Sequence, residues 1–299
     1  MNFLYVNAIR IKRMANPAPQ MMLRSSLYPA LILLVLLSWS ATSAEERTDL
    51  ATKELSDIVL QEENIYQKLA EDPDFYSADD LERHIRSLTT AYSAYLEDHP
   101  DDVEALILYG KLLRRIDQKE AAFSAFLKAD AIDPEIAVVK QQIGTHLAEQ
   151  GKAKAAFPFY LRAVELEPQT PDYHFALGQL LHEFRQQFLE DGIFTRDALE
   201  REMLKAFKRT AELAPDDFDA QMRLGEAYYD LTSPDWKAAL LHWNRLSKRA
   251  ENTLQAEILN LHRAKVMGKL GRKAEAKTLL ESVLTPSLQK SKQQVLDEI

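Results

Sequence analysis

Residues 155–168 read Ala-Ala-Phe-Pro-Phe-Tyr-Leu-Arg-Ala-Val-Glu-Leu-Glu-Pro. Two aromatics flank a proline, and an amphipathic run follows that a second proline closes. Such a stretch is either an aromatic pocket or part of a scaffold, and its surroundings decide between the two. Pro168 lies 34 residues after Pro134, which lies 34 after Pro100. Gly110, Gly144 and Gly178 keep the same spacing. Ala122, Phe126 and Ala129 map by that shift onto Ala156, Tyr160 and Ala163. A fixed period of this length marks a repeat architecture, in which each unit buries its apolar face against its neighbours. The opening stretch is the second half of one such unit, and its aromatics are scaffold.

The pattern resembles the tetratricopeptide repeat family. A unit counted from Val103 carries Leu106, Tyr109-Gly110, Leu113, Ala122, Phe126, Ala129 and Pro134. The next, from Ala137, carries Ile143-Gly144, Leu147, Ala156, Tyr160, Ala163 and Pro168. The resemblance implies an all-α fold, an α-solenoid of antiparallel helix pairs wound into a right-handed superhelix. Small residues let paired helices approach, and large apolar ones fill the gaps beside them. The closing proline ends the second helix. Pro158 is expected within the first turn of its helix, where backbone N–H groups have no helical acceptor.

Further units depart from the pattern. The third begins normally with Pro171, Leu177-Gly178 and Leu181, but Pro215 follows Pro168 by 47 residues, thirteen more than the repeat allows. The excess falls near 184–200, read as an overlong first helix, a turn at Asp191-Gly192 and a helix capped by Thr195. The fourth unit has Leu224-Gly225 and Tyr228, and its second helix, from Trp236 to Trp243, is slightly out of register. Its closing proline is replaced by Glu251-Asn252. A fifth shows Ala264, Met267, Gly271, Ala276, Leu280 and Val283. About five units thus span 101–286, and 287–299 reads as a capping helix or tail. Ahead of them, Ala51, Leu55, Ile58, Ile65 and Leu69 share one helical face. Asp72-Pro73-Asp74 breaks that helix and Ser77 caps another, so 45–100 reads as capping helices.

The first forty-four residues differ from the rest. They hold Arg10, Lys12, Arg13 and Arg24 but no acid, then the apolar run 27–40, then Ala41-Thr42-Ser43-Ala44 before two glutamates. This reads as a secretory signal peptide cleaved after Ala44. The alternative is an uncleaved inner-membrane anchor, although the strictly apolar run Ala30–Leu37 is far short of the ~20 residues that span a bilayer. Translation could start at Met1 or at Met21/Met22. The chain has no cysteine, which excludes thiol chemistry and disulfides. The expected location is therefore periplasmic or extracellular. Net charge is −9, and 33 basic face 46 acidic residues beyond position 44. Such a surface argues against nucleic acid as a partner.

No catalytic, metal or cofactor constellation stands out. The run from Gly268 to Lys273 lacks phosphate-loop spacing and its Ser/Thr. His174 and His182 are eight apart, too far for a helical chelate. Asp101-Asp102 and Asp216-Asp217 are helix-start residues. The expectation is a non-enzymatic scaffold or adaptor that binds a protein or peptide client. A membrane-tethered assembly factor of the cytochrome c maturation type is the alternative, with an enzyme accessory domain a further one.

The resemblance implies a concave wall built from the first helix of each unit. Carried onto this sequence, the wall holds Ile107, Lys111 and Arg114, then Gln141 and Thr145. Phe175, Gln179 and His182 follow, then Met222, Glu226 and Tyr229, and finally Leu261 and Lys265. The carboxylate clamp of some family members is absent, because its positions hold Ile107, Lys111, Gln142, Asp172 and Ala176.

Overall fold

The computed structural model describes residues 42–299, and among these the chain is helical, without strands. The segment read as an export signal lies outside the described residues except for its last three. The described chain divides into two compact units, one up to Leu166 and the other from Glu167.

In the first unit, α1 (Thr42–Glu71) and α2 (Ala78–Asp98) form a hairpin. Leu55, Ile58, Ile65 and Leu69 of α1 are buried, facing Leu81, Ile85, Leu88 and Tyr92 of α2 in one core. Two helix pairs follow, α3 (Val103–Arg115) with α4 (Lys119–Ile132) and α5 (Ala137–Glu149) with α6 (Ala153–Leu166). Each pair closes on one contact. A methyl group on Gly110 would stand 2.8 Å from the Phe126 ring, and one on Gly144 would stand 3.1 Å from Tyr160. Glycine at 110 lets the Phe126 ring seat, and a Cβ at 144 would press the Tyr160 ring outward. Ala122, Ala129, Ala156 and Ala163 are fully buried at the same crossings, where small residues bring helix backbones together.

The second unit holds three pairs: α7 (Pro171–Glu183) with α9 (Arg196–Leu213), α10 (Phe218–Ala227) with α11 (Trp236–Leu246), and α12 (Thr253–Lys269) with α13 (Lys273–Glu281). A methyl group on Gly178 would stand 2.8 Å from the Phe207 ring, and Gly225 lies under the Trp243 indole. A last helix, α14 (Gln289–Glu298), packs on α12. Val295 is buried there, and the side chain of Ile299 covers Gly268.

Helix starts follow local chemistry. Asp102, Thr195, Asp217 and Asn252 each accept a hydrogen bond from the backbone N–H three residues on, at 3.0, 3.3, 2.9 and 2.9 Å. Such a cap stabilises a helix by about 1 kcal/mol. The turns after α5 and α12 use Gly151 and Gly271 in the left-handed region, at φ +72° and +78°, which glycine adopts without a Cβ clash.

Two sequence expectations are corrected. Pro158 does not lie in the first turn of its helix. The Lys152 carbonyl accepts from Ala155 and Ala156, so α6 begins at Ala153 and Pro158 is its sixth residue. The missing N–H deprives the Lys154 carbonyl of its helical donor, and the cost is tolerated because both residues are exposed. The third unit's first helix is not one overlong helix either. It stops at Glu183, Phe184 leaves helical geometry, and a short α8 (Arg185–Glu190) follows. Phe188 of α8 is fully buried against Phe194 (ring centres 5.8 Å), and its carbonyl accepts from Ile193 and Phe194. Burying that ring turns the inserted residues back onto the unit. The insertion also lengthens α9 at its start, which places Glu200 to accept from the backbone N–H and the hydroxyl of Thr232 at 2.8 and 2.7 Å.

Candidate functional site

The residues expected on the wall lie on the first helix of each pair, except Tyr229 in the turn after α10, and each unit presents its own set. In the first unit, Ile107, Lys111 and Arg114 come from α3, and Gln141 and Thr145 from α5. Ile107 is half-buried against the core. Lys111 is half-buried too. Burial, then the charge of Arg115, hold its ammonium below the usual lysine range, with Glu62 opposing. Arg114 donates to Glu149 at 2.7 Å, and Lys119 reaches the same carboxylate at 3.0 Å. Burial pushes Glu149 up, but those hydrogen bonds and charges together hold it below the usual range. Gln141 accepts from Gln142 at 2.8 Å. The Thr145 hydroxyl donates to the Gln141 carbonyl at 2.9 Å and lies 3.0 Å from the Tyr160 phenol.

Beside this set sits a cluster that the sequence reading missed. Glu62 of α1 is buried and accepts from Tyr92 and from Arg115, both at 2.9 Å. The Arg115 guanidinium lies 4.5 Å from the Tyr66 ring centre. Burial raises Glu62 above the usual carboxylate range against the pull of Arg115 and Tyr92. A signal was present in the sequence, because position 62 falls on the apolar stripe between Ile58 and Ile65. An acid on that stripe needs a partner.

In the second unit, α7 contributes Phe175, Gln179 and His182. Phe175 meets Phe207 edge-on at 6.1 Å. Gln179 accepts from Nε of Arg223 at 3.0 Å, and His182 Nδ1 lies 3.1 Å from Asp230. Arg223 was not anticipated. It is buried, lies 4.1 Å over the Phe207 ring and reaches Asp230 at 3.3 Å. Burial holds His182 below its ordinary range, with Asp230 opposing. The next helix presents Met222, half-buried, and Glu226, exposed.

Tyr229, in the turn after α10, stands in a ring stack. Its ring centre lies 5.8 Å from His262 and 6.4 Å from Trp243, His262 and Trp243 are 4.3 Å apart, and all three planes are within 19° of parallel. The Tyr229 phenol is 3.2 Å from His262 Nδ1, and Lys265 lies 5.3 Å over the Tyr229 ring while pairing with Glu298 at 3.2 Å. Leu261 is buried.

The expected residues therefore form two groups. Arg114, Thr145, Gln179, His182, Tyr229 and Lys265 are engaged by the chain's own groups, and Leu261 is buried among them. Ile107, Lys111, Met222 and Glu226 keep accessible surface beside them, as do Gln141 and Phe175 despite their contacts with Gln142 and Phe207. Apolar and charged side chains interleaved in this way can hold a polypeptide segment by anchors with polar flanks. Among the described residues, no three His, Asp or Glu come together as a metal-holding group, and no helix is long and apolar enough to cross a membrane.

Residues 89–135 match the family model described as tetratricopeptide repeat. No curated protein matches the chain. Among solved structures, the chain is similar to YrrB, a tetratricopeptide repeat protein with an unusual peptide-binding site. Identity is 16%, the TM-score is 0.56, and the match covers 70% of this chain and 97% of that one. It is also similar to MamA from Desulfovibrio magneticus RS-1, with 17% identity, a TM-score of 0.46, and coverage of 65% and 97%. A third is an O-GlcNAc transferase from Thermobaculum terrenum, at 21% identity and a TM-score of 0.40. That match covers 49% of this chain and 26% of the transferase.

Proposed function

We propose that this chain, which matches the tetratricopeptide repeat family model over residues 89–135 and shares its fold with a solved protein of that kind, is a non-enzymatic scaffold whose first-helix faces bind a peptide or a protein surface. One observation carries the reading. Beside the buried glycine–aromatic contacts that close the helix pairs, the first helices keep Ile107, Lys111, Gln141, Phe175, Met222 and Glu226 accessible. A solved protein of the same fold, YrrB, has a peptide-binding site, and a polypeptide client is the partner proposed here. The setting proposed is the bacterial cell envelope, reached through the export signal read in 1–44. The scaffold there would join envelope proteins as an adaptor.

The test is capture from the native cell envelope by the unaltered chain beside a Gln141→Lys, Met222→Ser, Glu226→Lys variant of equal helical circular dichroism. A client held by the first and lost by the second is the expected result. Equal capture by both removes these faces as the interface. Substrate turnover that disappears in His182→Ala would overturn the non-enzymatic reading. Amino-terminal sequencing of the native protein is expected to begin at Glu45, and retention of the apolar run would favour the membrane-tethered assembly factor instead.

A further inference from the structure

A second surface lies on the other side of α10. Met222, Glu226 and Tyr229 point to the face described above, whereas Gln221, Leu224 and Tyr228 line a cleft of about 340 Å³ between the second helices α9 and α11. Its apolar lining includes Ala211, Leu224, Tyr228, Ala238 and Leu246. Leu241 stands at its edge, 52% exposed. The cleft is open to solvent and at the small end of ligand-binding cavities, so it suits one bulky side chain of a segment lying across it.

The charges around the cleft are one-sided. Lys208, Arg245 and Arg249 line it, with Glu212 as the acid. Glu212 already pairs with Arg209 at 3.3 Å, and Arg249 is held by Asp216 and the Pro215 carbonyl. That leaves Lys208 and Arg245. Both are exposed and neither has an ion-pair partner among the described residues, although Lys208 lies 5.9 Å from the Tyr228 ring. His242, whose Nε2 donates to the Gln221 carbonyl at 2.7 Å, is held below its ordinary range by burial, with that hydrogen bond opposing. An apolar cleft with two uncommitted cations and no uncommitted acid is unexpected on a chain of net charge −9.

We infer that this cleft is a second binding site, and that its ligand is an acidic peptide segment in which a large apolar residue is flanked by Asp or Glu. The apolar side chain enters between α9 and α11 over Leu224 and Tyr228, next to Leu241. The flanking carboxylates meet Lys208 and Arg245, where charge-assisted hydrogen bonds orient the segment. The site is independent of the first-helix faces, because it uses different residues of α10 and the second helices instead.

The test is fluorescence anisotropy of the full chain with a fluorescein-labelled peptide, Gly-Asp-Glu-Phe-Leu-Asp-Glu-Gly. Saturable binding is expected that weakens with salt. The double variant Lys208→Glu, Arg245→Glu should weaken it at least about tenfold, as expected when two charge-assisted contacts are reversed. Leu241→Ser should weaken it less, and Met222→Ser with Glu226→Lys should leave it unchanged. Circular dichroism checks that each variant is folded. The inference is overturned by absence of saturable binding, or by equal binding of a peptide with Ser-Ser in place of Phe-Leu. Equal binding by the double variant would also overturn it. Loss of binding in the Met222→Ser, Glu226→Lys variant alone would assign the peptide to the first-helix face.

Discussion

The two units meet one packing requirement by different routes. Up to Leu166, the ring that seats on a glycine comes sixteen residues after it, Phe126 after Gly110 and Tyr160 after Gly144. From Glu167 on, Phe207 comes 29 residues after Gly178, and Trp243 comes 18 after Gly225. The contact is kept while the spacing is not. What defines the repeat physically is therefore a ring laid on a backbone without a Cβ, and the chain between the two can lengthen if the extra residues find their own burial. Here Phe188 supplies that burial, and Glu200 ties down the Thr232 loop.

If the contact is what matters, the largest effect should come from removing its ring in the irregular unit. Trp243→Ala is expected to cost about 3–5 kcal/mol, the range for truncating a large buried aromatic, read as a fall in the urea midpoint. A cost well under that of Phe126→Ala would show that the second unit does not depend on the contact as the first does. Glu200→Gln comes next. It replaces an acceptor of the paired Thr232 hydrogen bonds with a donor, and about 1–3 kcal/mol is expected. No loss would mean the insertion is not needed to hold the loop.

The pH response should also separate the units. Burial, then the charge of Lys265, lower His262 to about 4. An unfolded histidine titrates near 6.5. The unfolded chain therefore takes up the proton first, and stability falls as pH drops from about 6.5 towards 4, by on the order of 1–3 kcal/mol. In the first unit, burial also lowers His146, but Glu120 and Glu149 oppose the shift. His262→Phe should thus flatten the pH dependence of urea unfolding more than His146→Phe, and the reverse order would break the distinction. The smallest effect is expected at Gly151→Ala. The turn needs positive φ, and roughly 1 kcal/mol is the cost of placing a Cβ there. A differential scanning calorimetry midpoint that does not move would show that the turn relaxes.

Much of the fold was legible because it rests on residues with backbone consequences. Pro134, Pro168, Gly110 and Gly144 recur at fixed intervals, and Asp102, Asp217 and Thr195 announce helix starts. The location of Pro158 was misjudged because helix α6 begins through the Lys152 carbonyl, and main-chain hydrogen bonds leave no mark on side-chain pattern. The thirteen extra residues were counted correctly, but their path depends on where the Phe188 ring is buried, which is a tertiary fact. For the candidate site, the helix-face positions could be assigned in advance. Which of them the chain uses for itself could not. Nothing in the local pattern marks Arg223 and Asp230 as the partners that neighbouring segments bring to Gln179 and His182, whereas Glu62 could have been flagged by its place on an apolar stripe.

Trp243 has one further consequence. Its indole is fully buried on Gly225, and it stacks on His262, which in turn stacks on Tyr229 at the edge of the first-helix face. A client that shifts Tyr229 must disturb the electronic surroundings of an indole sealed from water. If the first-helix face is the client site proposed above, the intrinsic emission of Trp243, and of Trp236 whose ring centre lies 5.9 Å from Tyr229, registers its occupancy without any attached label.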